Sequence, residues 1–299
     1  MKVGPLGFEP RTTSAKKNSG ISASGLRMEN VENVLELFED YLILEKGLFK
    51  GTARDYVRTI KYVLKHTSLD QDGIRLFLKL VKETKSPSRY SNILKALRHF
   101  SRFIKKPELA LNYAFPHPPP KPKEIFSKED LKRFYEAIPT LKMKAFFLVA
   151  ASSGLRKGEL LSLKMSNVDF KMRMLKPNCH QGSSKKSWVS FFNEEADEVL
   201  KLYLKEKKRG PKSDKLFPFN TYLFKKEWRF AQERSGINLR VKDLRDWFCQ
   251  EMGRLGVPDR YVDAFCGRVP KSILARHYTD FSSEKLKEIY DKADIKVLS

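Results

Sequence analysis

Five prolines crowd a stretch of seven residues, PHPPPKP, at positions 116–122. Proline fixes φ and has no backbone N–H, so this stretch can enter neither a helix interior nor a central strand, and it extends as a stiff connector. The chain of 299 residues is long enough for a domain on each side of the stretch. We therefore predict a tail over residues 1–27, a first domain over 28–115, a linker over 116–124 and a second domain over 125–299.

Positive charge dominates the composition. Lys and Arg outnumber Asp and Glu by 59 to 36, which gives a formal net charge of +23 and a sequence pI near 9.8. Such an excess destabilises the free protein by self-repulsion, so we expect a polyanionic partner. We favour nucleic acid over an anionic membrane surface, because no single basic amphipathic anchor stands out.

Neither a membrane segment nor a signal peptide is predicted. No apolar run approaches the roughly 18 residues that a spanning helix needs. Residues 1–27 are polar and contain Gly and Ser, without the apolar segment of a signal peptide, and we predict a flexible basic tail there. We therefore expect a soluble protein of the cytoplasm with no membrane partner.

The cysteines and the polar motifs predict neither a metal nor a cofactor. Cys179, Cys249 and Cys266 are odd in number and scattered. This fits a reducing compartment rather than a disulfide framework or a zinc site, and we expect small buried or semi-buried hydrophobes. The chain has no Gly-rich phosphate loop and no His, Cys or carboxylate cluster with metal-ligand spacing.

Helical periodicity dominates from residue 28 to about residue 106, and two of the predicted helices carry a basic stripe opposite an apolar one. The first covers residues 53–66. The second begins at Ser86, an N-cap followed by Pro87, and ends near Ile104. The apolar stripes hold Val57, Ile60 and Leu64 in the first helix, and Tyr90, Leu97, Phe100 and Ile104 in the second. The basic stripes hold Arg54, Arg58, Lys61 and Lys65 in the first helix, and Lys95, Arg98 and Arg102 in the second. Each basic stripe is either a solvated helix face or a surface that contacts phosphates, and the sequence leaves both interpretations open.

The second domain is predicted to be mainly helical with one small antiparallel sheet, so the fold class is α+β. Ser127 and Asp130 have the spacing of a capping box, which predicts a helix start. Three apolar stretches between residues 166 and 192, separated by turn-prone or polar residues, predict the sheet. Helices are predicted over residues 141–152, 194–206, 221–235, 241–255, 272–278 and 283–293.

Two cations lie three residues apart on the predicted helix over 241–255, where they are surface neighbours that repel each other. They are Lys242 and Arg245. In one interpretation Asp243 and Asp246 offset the repulsion. In the other a phosphate lies between the cations, with the arginine as a bidentate donor and the lysine as a point charge and proton donor. The spacing does not decide between them.

The run GLRKGELLSLKMSNVDF covers residues 154–170. An apolar helix ends at Gly154, Arg156 follows, and Glu159 lies one helical turn later. Taken alone, this is a helix pair broken by glycine, with an exposed arginine and a carboxylate partner. The run also resembles the first conserved box of the tyrosine recombinases, the family of phage integrases and Xer-type proteins, whose arginine holds the scissile phosphate.

The resemblance covers about residues 128–290. The helix with Lys242 and Arg245 is similar to the family's H-x-L-R helix, with Lys242 at the histidine position and Arg245 as the second clamp arginine. Arg268 replaces the His or Trp of the next family element. Ten residues later Tyr278, in ARHYTD, stands where the family carries its nucleophile.

The family also carries a lysine on the turn between the second and third strands, where Lys185 and Lys186 are the candidates and Lys185 is favoured. Either could instead be an ordinary turn cation. The variant with Lys-x-x-Arg and an arginine before the tyrosine looks most like the integrases of spindle-shaped archaeal viruses (fuselloviruses). The segment after Tyr278, with Leu286, Ile289 and Tyr290 on one face, either docks on a neighbouring protomer or packs on its own domain.

The resemblance implies an enzyme that integrates or excises viral or plasmid DNA through a 3′-phosphotyrosyl intermediate, without metal or ATP. It implies a helical, SAM-like core-binding domain and a catalytic domain that close as a C-shaped clamp on double-stranded DNA, with a homotetramer on the attachment sites. Two other readings stay open: a non-catalytic DNA-binding protein on the same scaffold, and a strand-nicking enzyme like topoisomerase IB.

Overall fold

The computed structural model describes residues 28–119, 125–177, 188–207, 213–268, 273 and 278–299. The chain divides into two compact units, Met1–Lys121 and Pro122–Ser299, and the division falls inside the proline-rich stretch. The predicted tail over residues 1–27 lies outside the described residues. Within the described part of the chain, no helix is both long and apolar enough to cross a bilayer.

The first unit is a bundle of helices around its own apolar core. The predicted start of its last long helix is confirmed, because Ser86 Oγ accepts a hydrogen bond from Arg89 N at 3.3 Å and Pro87 is the first helical residue. The core includes Phe38, Ile60 and Phe100. The helices are α1 (Met28–Asp40), a π-helical turn (Tyr41–Glu45), α2 (Lys50–His66), α3 (Gln71–Thr84), α4 (Pro87–Phe103) and a 3-10 turn (Pro107–Leu109).

The second unit is helical with one small sheet, and the predicted α+β class is confirmed. The three strands are antiparallel in the order β1-β2-β3, with Val168 opposite Leu175 and Met174 opposite Phe191. The strands are β1 (Val168–Asp169), β2 (Met174–Leu175) and β3 (Ser190–Phe191). The helices are α5 (Lys128–Ala137), α6 (Leu141–Ser153), α7 (Lys157–Ser162), α8 (Glu194–Lys207), α9 (Thr221–Ser235), α10 (Val241–Arg254), α11 (Asp259–Phe265) and α12 (Ser283–Ala293).

Local signals set several helix ends as predicted. Ser127 and Asp130 form the capping box that starts α5, and Gly236, with φ +72°, follows the last residue of α9. The short helix α7 is the second member of the predicted helix pair broken by Gly154, whereas the short helix α11 was not predicted. Most of the helix predicted over 272–278 lies outside the described residues, and Tyr278 itself lies in a bend.

Helix α6 is the centre of the second unit, and it is buried on all its sides. Its last carbonyls have no partner within the helix, so each needs a donor from elsewhere. Three different elements supply these donors. Tyr290 Oη of α12 donates to Ser152 O at 2.8 Å, Ser190 Oγ of β3 to Ser153 O at 2.6 Å, and Arg245 Nη1 of α10 to Gly154 O at 2.7 Å.

The contact of Tyr290 decides where α12 packs. Leu286 and Tyr290 are buried in the core of the second unit, and Ile289 packs against it. Of the two interpretations left open for this segment, the structure shows packing on its own domain. The face that carries these residues is therefore not available to a neighbouring protomer while α12 keeps this position.

Gly154 ends α6 in a conformation that other residues rarely adopt. Its φ is +64°, in the left-handed region. A Cβ placed on Gly154 would lie 2.3 Å from Phe248 Cδ1, on a ring that is fully buried. Both the backbone angle and the close packing therefore require glycine at this turn.

We expect Gly154→Ala to lower the free energy of unfolding of the second unit by about 2–4 kcal/mol, from backbone strain and overpacking against Phe248. Urea denaturation followed by tryptophan fluorescence measures this unit alone, because the three tryptophans, Trp188, Trp228 and Trp247, all lie within it. Gly158→Ala is the matched control. Gly158 lies in α7 with no atom within 4 Å of an added Cβ, so its replacement should be neutral or slightly stabilising. If the two variants unfold at the same midpoint urea concentration, this explanation is contradicted.

Candidate functional site

The turn after Gly154 places Arg156 at the start of α7, where its backbone and its side chain share one partner. Arg156 N donates to Glu159 Oε2 at 2.7 Å, and Arg156 Nη1 donates to Glu159 Oε1 at 2.7 Å. This is a capping arrangement in which the carboxylate of Glu159 orients the guanidinium as well as the helix end. The predicted pairing of Arg156 with Glu159 is therefore confirmed, although Arg156 is only about a quarter exposed rather than fully exposed.

Arg245 lies in the interior of the second unit and is 8% exposed. Its Nη1 donates to Gly154 O at 2.7 Å, and its Nη2 donates to Cys266 O at 2.6 Å. These two main-chain carbonyls accept hydrogen bonds from the guanidinium, but they carry no net charge and do not neutralise it. Within the described residues Arg245 has no carboxylate partner, so a buried positive charge remains for an anion to neutralise.

Arg156 and Arg268 both lie close enough to Arg245 to act on it electrostatically. Burial lowers the pKa of Arg245, and the positive charges of Arg156 and Arg268 lower it further. Arg268 follows Gly267, which has φ +59°, and its Nη1 lies 3.2 Å from Asp263 Oδ1. The structure thus brings together three arginines that are separated by up to 112 positions in the sequence.

Lys242 is exposed in the first turn of α10 and shares a cavity of about 620 Å³ with two of these arginines. The cavity lies between the start of α7, one face of α9 and the start of α10. Its walls concentrate positive charge, which favours an anionic ligand. The cationic residues that line it are Arg156, Lys157, Lys225, Arg229, Arg240, Lys242 and Arg245.

The structure shows Arg240 as the hydrogen-bonded partner of Asp243. Asp243 accepts from Arg240, whose backbone N and Nε both donate to Asp243 Oδ2 at 2.8 Å, with Nη2 2.7 Å from Oδ1. Its role is to cap α10 and to bind Arg240. The interpretation in which Asp243 and Asp246 offset the repulsion between Lys242 and Arg245 stays a prediction.

Four of the cavity's cations were not predicted: Lys157, Lys225, Arg229 and Arg240. Lys225 and Arg229 are four residues apart on α9, and this like-charged spacing is a signal that sequence analysis could have used. The ammonium of Lys157 lies 3.8 Å from the centre of the Phe224 ring. Burial lowers the pKa of Lys157, and the charge of Lys225 adds to this effect.

The remaining predicted site residues do not line this cavity or lie outside the described residues. Tyr278 is 78% exposed, in the bend before α12. In the described part of the chain it has no hydrogen-bond or ring partner. Lys185 and Lys186 lie outside the described residues. Their proposed roles therefore stay predictions.

In the first unit, α2 and α4 expose most of the predicted basic residues. Arg58 and Lys95 line one cavity of about 510 Å³, together with Arg89, which was not predicted. Several of these cations pair with exposed or partly exposed carboxylates, and such pairs contribute little stability. Arg54 pairs with Glu39 at 3.5 Å, Arg58 with Asp55 at 3.0 Å, and Lys61 with Glu32, while Lys65 and Arg102 are exposed.

Arg98 differs from the other members of its stripe and requires a correction. Its guanidinium donates to the carbonyl oxygens of Ala110, Leu111 and Tyr113, at 3.4, 3.3 and 2.5 Å, and lies over the Phe115 ring. These bonds fix the segment that follows α4. Arg98 therefore has a structural role in this unit, and it is not a freely exposed cation as the stripe predicted.

The two cysteines of the second unit that the structure describes are half-buried or buried, as expected, but they are not isolated. Cys249 Sγ and Cys266 Sγ lie 3.4 Å apart, and both thiols are free. Cys179 lies outside the described residues. Among the described residues, no group of three or more His, Cys, Asp or Glu side chains could hold a metal ion.

Comparison with known proteins assigns a family to the second unit. Residues 124–285 match the model of the phage integrase family. The chain is 26% identical over 279 residues to tyrosine recombinase XerA of Thermococcus onnurineus, covering 89% of this chain and 97% of the relative. It is 25% identical over 275 residues to tyrosine recombinase XerA of Pyrococcus horikoshii, covering 88% of this chain and 94% of the relative.

Solved structures share the fold at lower identity. A lambda integrase tetramer bound to a Holliday junction has a TM-score of 0.62 and 15% identity, covering 84% of this chain and 77% of that chain. A lambda integrase (75-356) dimer bound to a COC' core site has a TM-score of 0.61 and 16% identity, covering 81% of this chain and 95% of that chain. These likenesses concern the fold.

Proposed function

The chain belongs to the phage integrase family and is a site-specific tyrosine recombinase, and from this premise we propose the role of each site residue in DNA cleavage. Arg156 and Arg245 hold the non-bridging oxygens of the phosphate that is cut. Tyr278 attacks that phosphate. Lys242 and Arg268 add charge and hydrogen bonds, and Glu159 positions Arg156.

One observation carries this proposal: the turn at Gly154 fixes two distant arginines at the same place. Gly154 O accepts from Arg245, and the chain reaches Arg156 two residues later, held by Glu159. Two guanidinium groups then face the cavity that Lys242 shares. The two cations are rigidly placed, and no carboxylate among the described residues pairs with Arg245. Such an arrangement suits a phosphate that gains negative charge during reaction.

The reaction balances without an added nucleotide or metal. The phenolic oxygen of Tyr278 forms a bond to phosphorus, and the bond from phosphorus to the 5′-oxygen breaks. This yields a 3′-phosphotyrosyl link and a 5′-hydroxyl, and a second transesterification by a 5′-hydroxyl restores the DNA and the tyrosine. Lys185 or Lys186 is proposed to protonate the leaving 5′-oxygen.

The finer assignments belong to this proposal as well. Double-stranded DNA with attachment sites is the proposed substrate, a homotetramer the proposed assembly, and the cytoplasm the proposed location. The resemblance of Lys242, Arg245 and Arg268 to the pattern of spindle-shaped virus integrases supports a role in viral genome integration. The DNA-bound lambda integrase structures of the same fold support the proposed substrate.

The decisive experiment traps the proposed intermediate. A duplex with a nick just 3′ of the scissile phosphate loses a short fragment after attack, so the covalent product accumulates. We expect a protein–DNA adduct, with the DNA remnant on the tryptic peptide that contains Tyr278. No adduct would favour the passive DNA-binding protein. An adduct without strand exchange between two defined sites would favour the topoisomerase-like enzyme.

The basic face of α2 and α4 is proposed to bind phosphates of the duplex. We expect Arg58→Ala with Lys95→Ala to weaken DNA binding and to reduce the slope of log affinity against log salt by about 2, one for each lost phosphate contact. Fluorescence anisotropy across a salt series measures this. Lys79→Ala with Lys82→Ala removes the same charge from α3, whose residues do not line the α2–α4 cavity. Identical slopes for the two double variants would refute the assigned face.

A further inference from the structure

Two cysteines meet next to the buried arginine of the proposed active site. Cys249 lies on α10, Cys266 directly follows α11, and their sulfur atoms are 3.4 Å apart as free thiols. Cys266 is fully buried, whereas Cys249 is partly exposed. An oxidant can therefore reach Cys249 first, with Cys266 in contact behind it.

This thiol pair is joined to the arginines by direct contacts. Cys266 O accepts from Arg245 Nη2 at 2.6 Å, and Cys266 Sγ lies 3.8 Å from Gly154 O, the other acceptor of Arg245. Arg268 is two residues beyond Cys266. A displacement of Cys266 thus alters one of the two acceptors that fix Arg245 and shifts the segment that carries Arg268.

The surroundings favour ionisation of Cys249 over Cys266. The hydrogen bond between the two thiols lowers the pKa of Cys249, and the positive charges of Arg268 and Arg245 lower it as well. The same hydrogen bond and burial raise the pKa of Cys266. A partly exposed thiolate beside a protonated neighbour is the arrangement of an attacking and a resolving cysteine.

We propose that Cys249 and Cys266 form a peroxide-sensitive dithiol, and that its closure to a disulfide slows DNA cleavage. The thiolate of Cys249 attacks one oxygen of hydrogen peroxide. The O–O bond breaks, and the sulfur becomes a sulfenic acid as the other oxygen leaves, protonated, as water. The sulfur of Cys266 then attacks the sulfenic sulfur, and the S–OH oxygen leaves as a second water with the proton of Cys266. The peroxide is reduced and the two sulfurs are oxidised.

The disulfide requires movement at the site. A disulfide bond is about 2.05 Å long, so the two sulfurs must approach from their present contact distance. Catalytic groups tolerate displacements of only about 0.5 Å, and 1 Å can cost about 100-fold in rate. We expect the oxidised protein to cleave at least about tenfold more slowly, an expectation that rests on the proposed function.

The experiment compares each protein before and after treatment with hydrogen peroxide, with catalase added to stop the reaction. Non-reducing peptide mapping measures the linkage, which lowers the mass by about 2 Da for the two hydrogens lost. Adduct formation on the nicked duplex measures cleavage. We expect a Cys249–Cys266 linkage and slower cleavage in the natural sequence, both reversed by dithiothreitol.

Two variants make the result specific. Cys179→Ser removes the third cysteine and should behave like the natural sequence, whereas Cys249→Ser should lose both the linkage and the peroxide-induced slowing. No linkage, slowing of equal size in Cys249→Ser, or a complete linkage without slowing would overturn the proposal. A reduced protein that forms no adduct would contradict the proposed function, and the mapping measures the linkage independently of it.

Discussion

Tyr278→Phe is expected to abolish the covalent product on the nicked duplex. The substitution removes the one oxygen of this side chain that can attack phosphorus. Loss of a nucleophile lowers the rate by about 10⁴-fold or more, below the detection of a gel assay. The side chain is 78% exposed, so the fold should be unaffected. DNA binding measured by anisotropy should stay unchanged, because the substitution keeps the ring and changes no charged residue.

A matched tyrosine makes this result interpretable. Tyr222 is 71% exposed on α9 but does not stand at the nucleophile position of the resemblance. Tyr222→Phe should form the adduct at the natural rate. If Tyr278→Phe still forms it, another residue is the nucleophile and the assignment of ARHYTD is wrong. If both variants lose it, the loss reflects DNA binding rather than attack.

Arg245→Ala is expected to lower the rate of adduct formation by about 10³-fold. The substitution removes the donor that is proposed to hold the phosphate, and single preorganised donors of this kind contribute about 10²–10³-fold. It also leaves two carbonyls, Gly154 O and Cys266 O, without their donor, at a cost of about 1–3 kcal/mol in the free energy of unfolding. Single-turnover kinetics measures the first effect, and tryptophan-monitored urea unfolding measures the second.

A second substitution at the same position separates chemistry from folding. Arg245→Lys keeps the charge but not the planar fork that spans both carbonyls and a phosphate, so we expect a stability between those of the natural sequence and Arg245→Ala, with cleavage reduced by about 100-fold. Arg156→Ala should resemble Arg245→Ala in rate. Lys242→Ala should slow cleavage less, because Lys242 is exposed and acts as a point charge. Equal, mild effects at all three positions would contradict the assigned roles.

The helix ends could be predicted where the cause is local. Ser86 with Pro87, Ser127 with Asp130, and Gly236 each act within a few residues of chain, and the structure confirms all three. The environment of Arg98 could not be predicted, because its three acceptors depend on how the segment after α4 turns back. The buried position of Tyr290 depends in the same way on a carbonyl 138 residues away.

The same distinction between local causes and long-range contacts applies to the candidate site. The resemblance singled out Arg156, Arg245 and Arg268, and the structure brings them together, which their spacing alone could not have shown. The proximity of Cys249 and Cys266 was not predicted, because the two residues are 17 positions apart and lie on different helical segments. Their sequence neighbours contain no signal for a paired thiol, since the pairing arises from the packing of α11 on α10.

The carboxyl end of α6 limits how this enzyme could be retargeted to other DNA sequences. Three successive carbonyls there accept hydrogen bonds from side chains of β3, α10 and α12. Mutational tolerance there will be low, since a change that repositions one partner disturbs the others. Directed evolution toward new attachment sites should therefore draw its diversity from exposed residues of α2, α4 and α9, and leave this junction untouched.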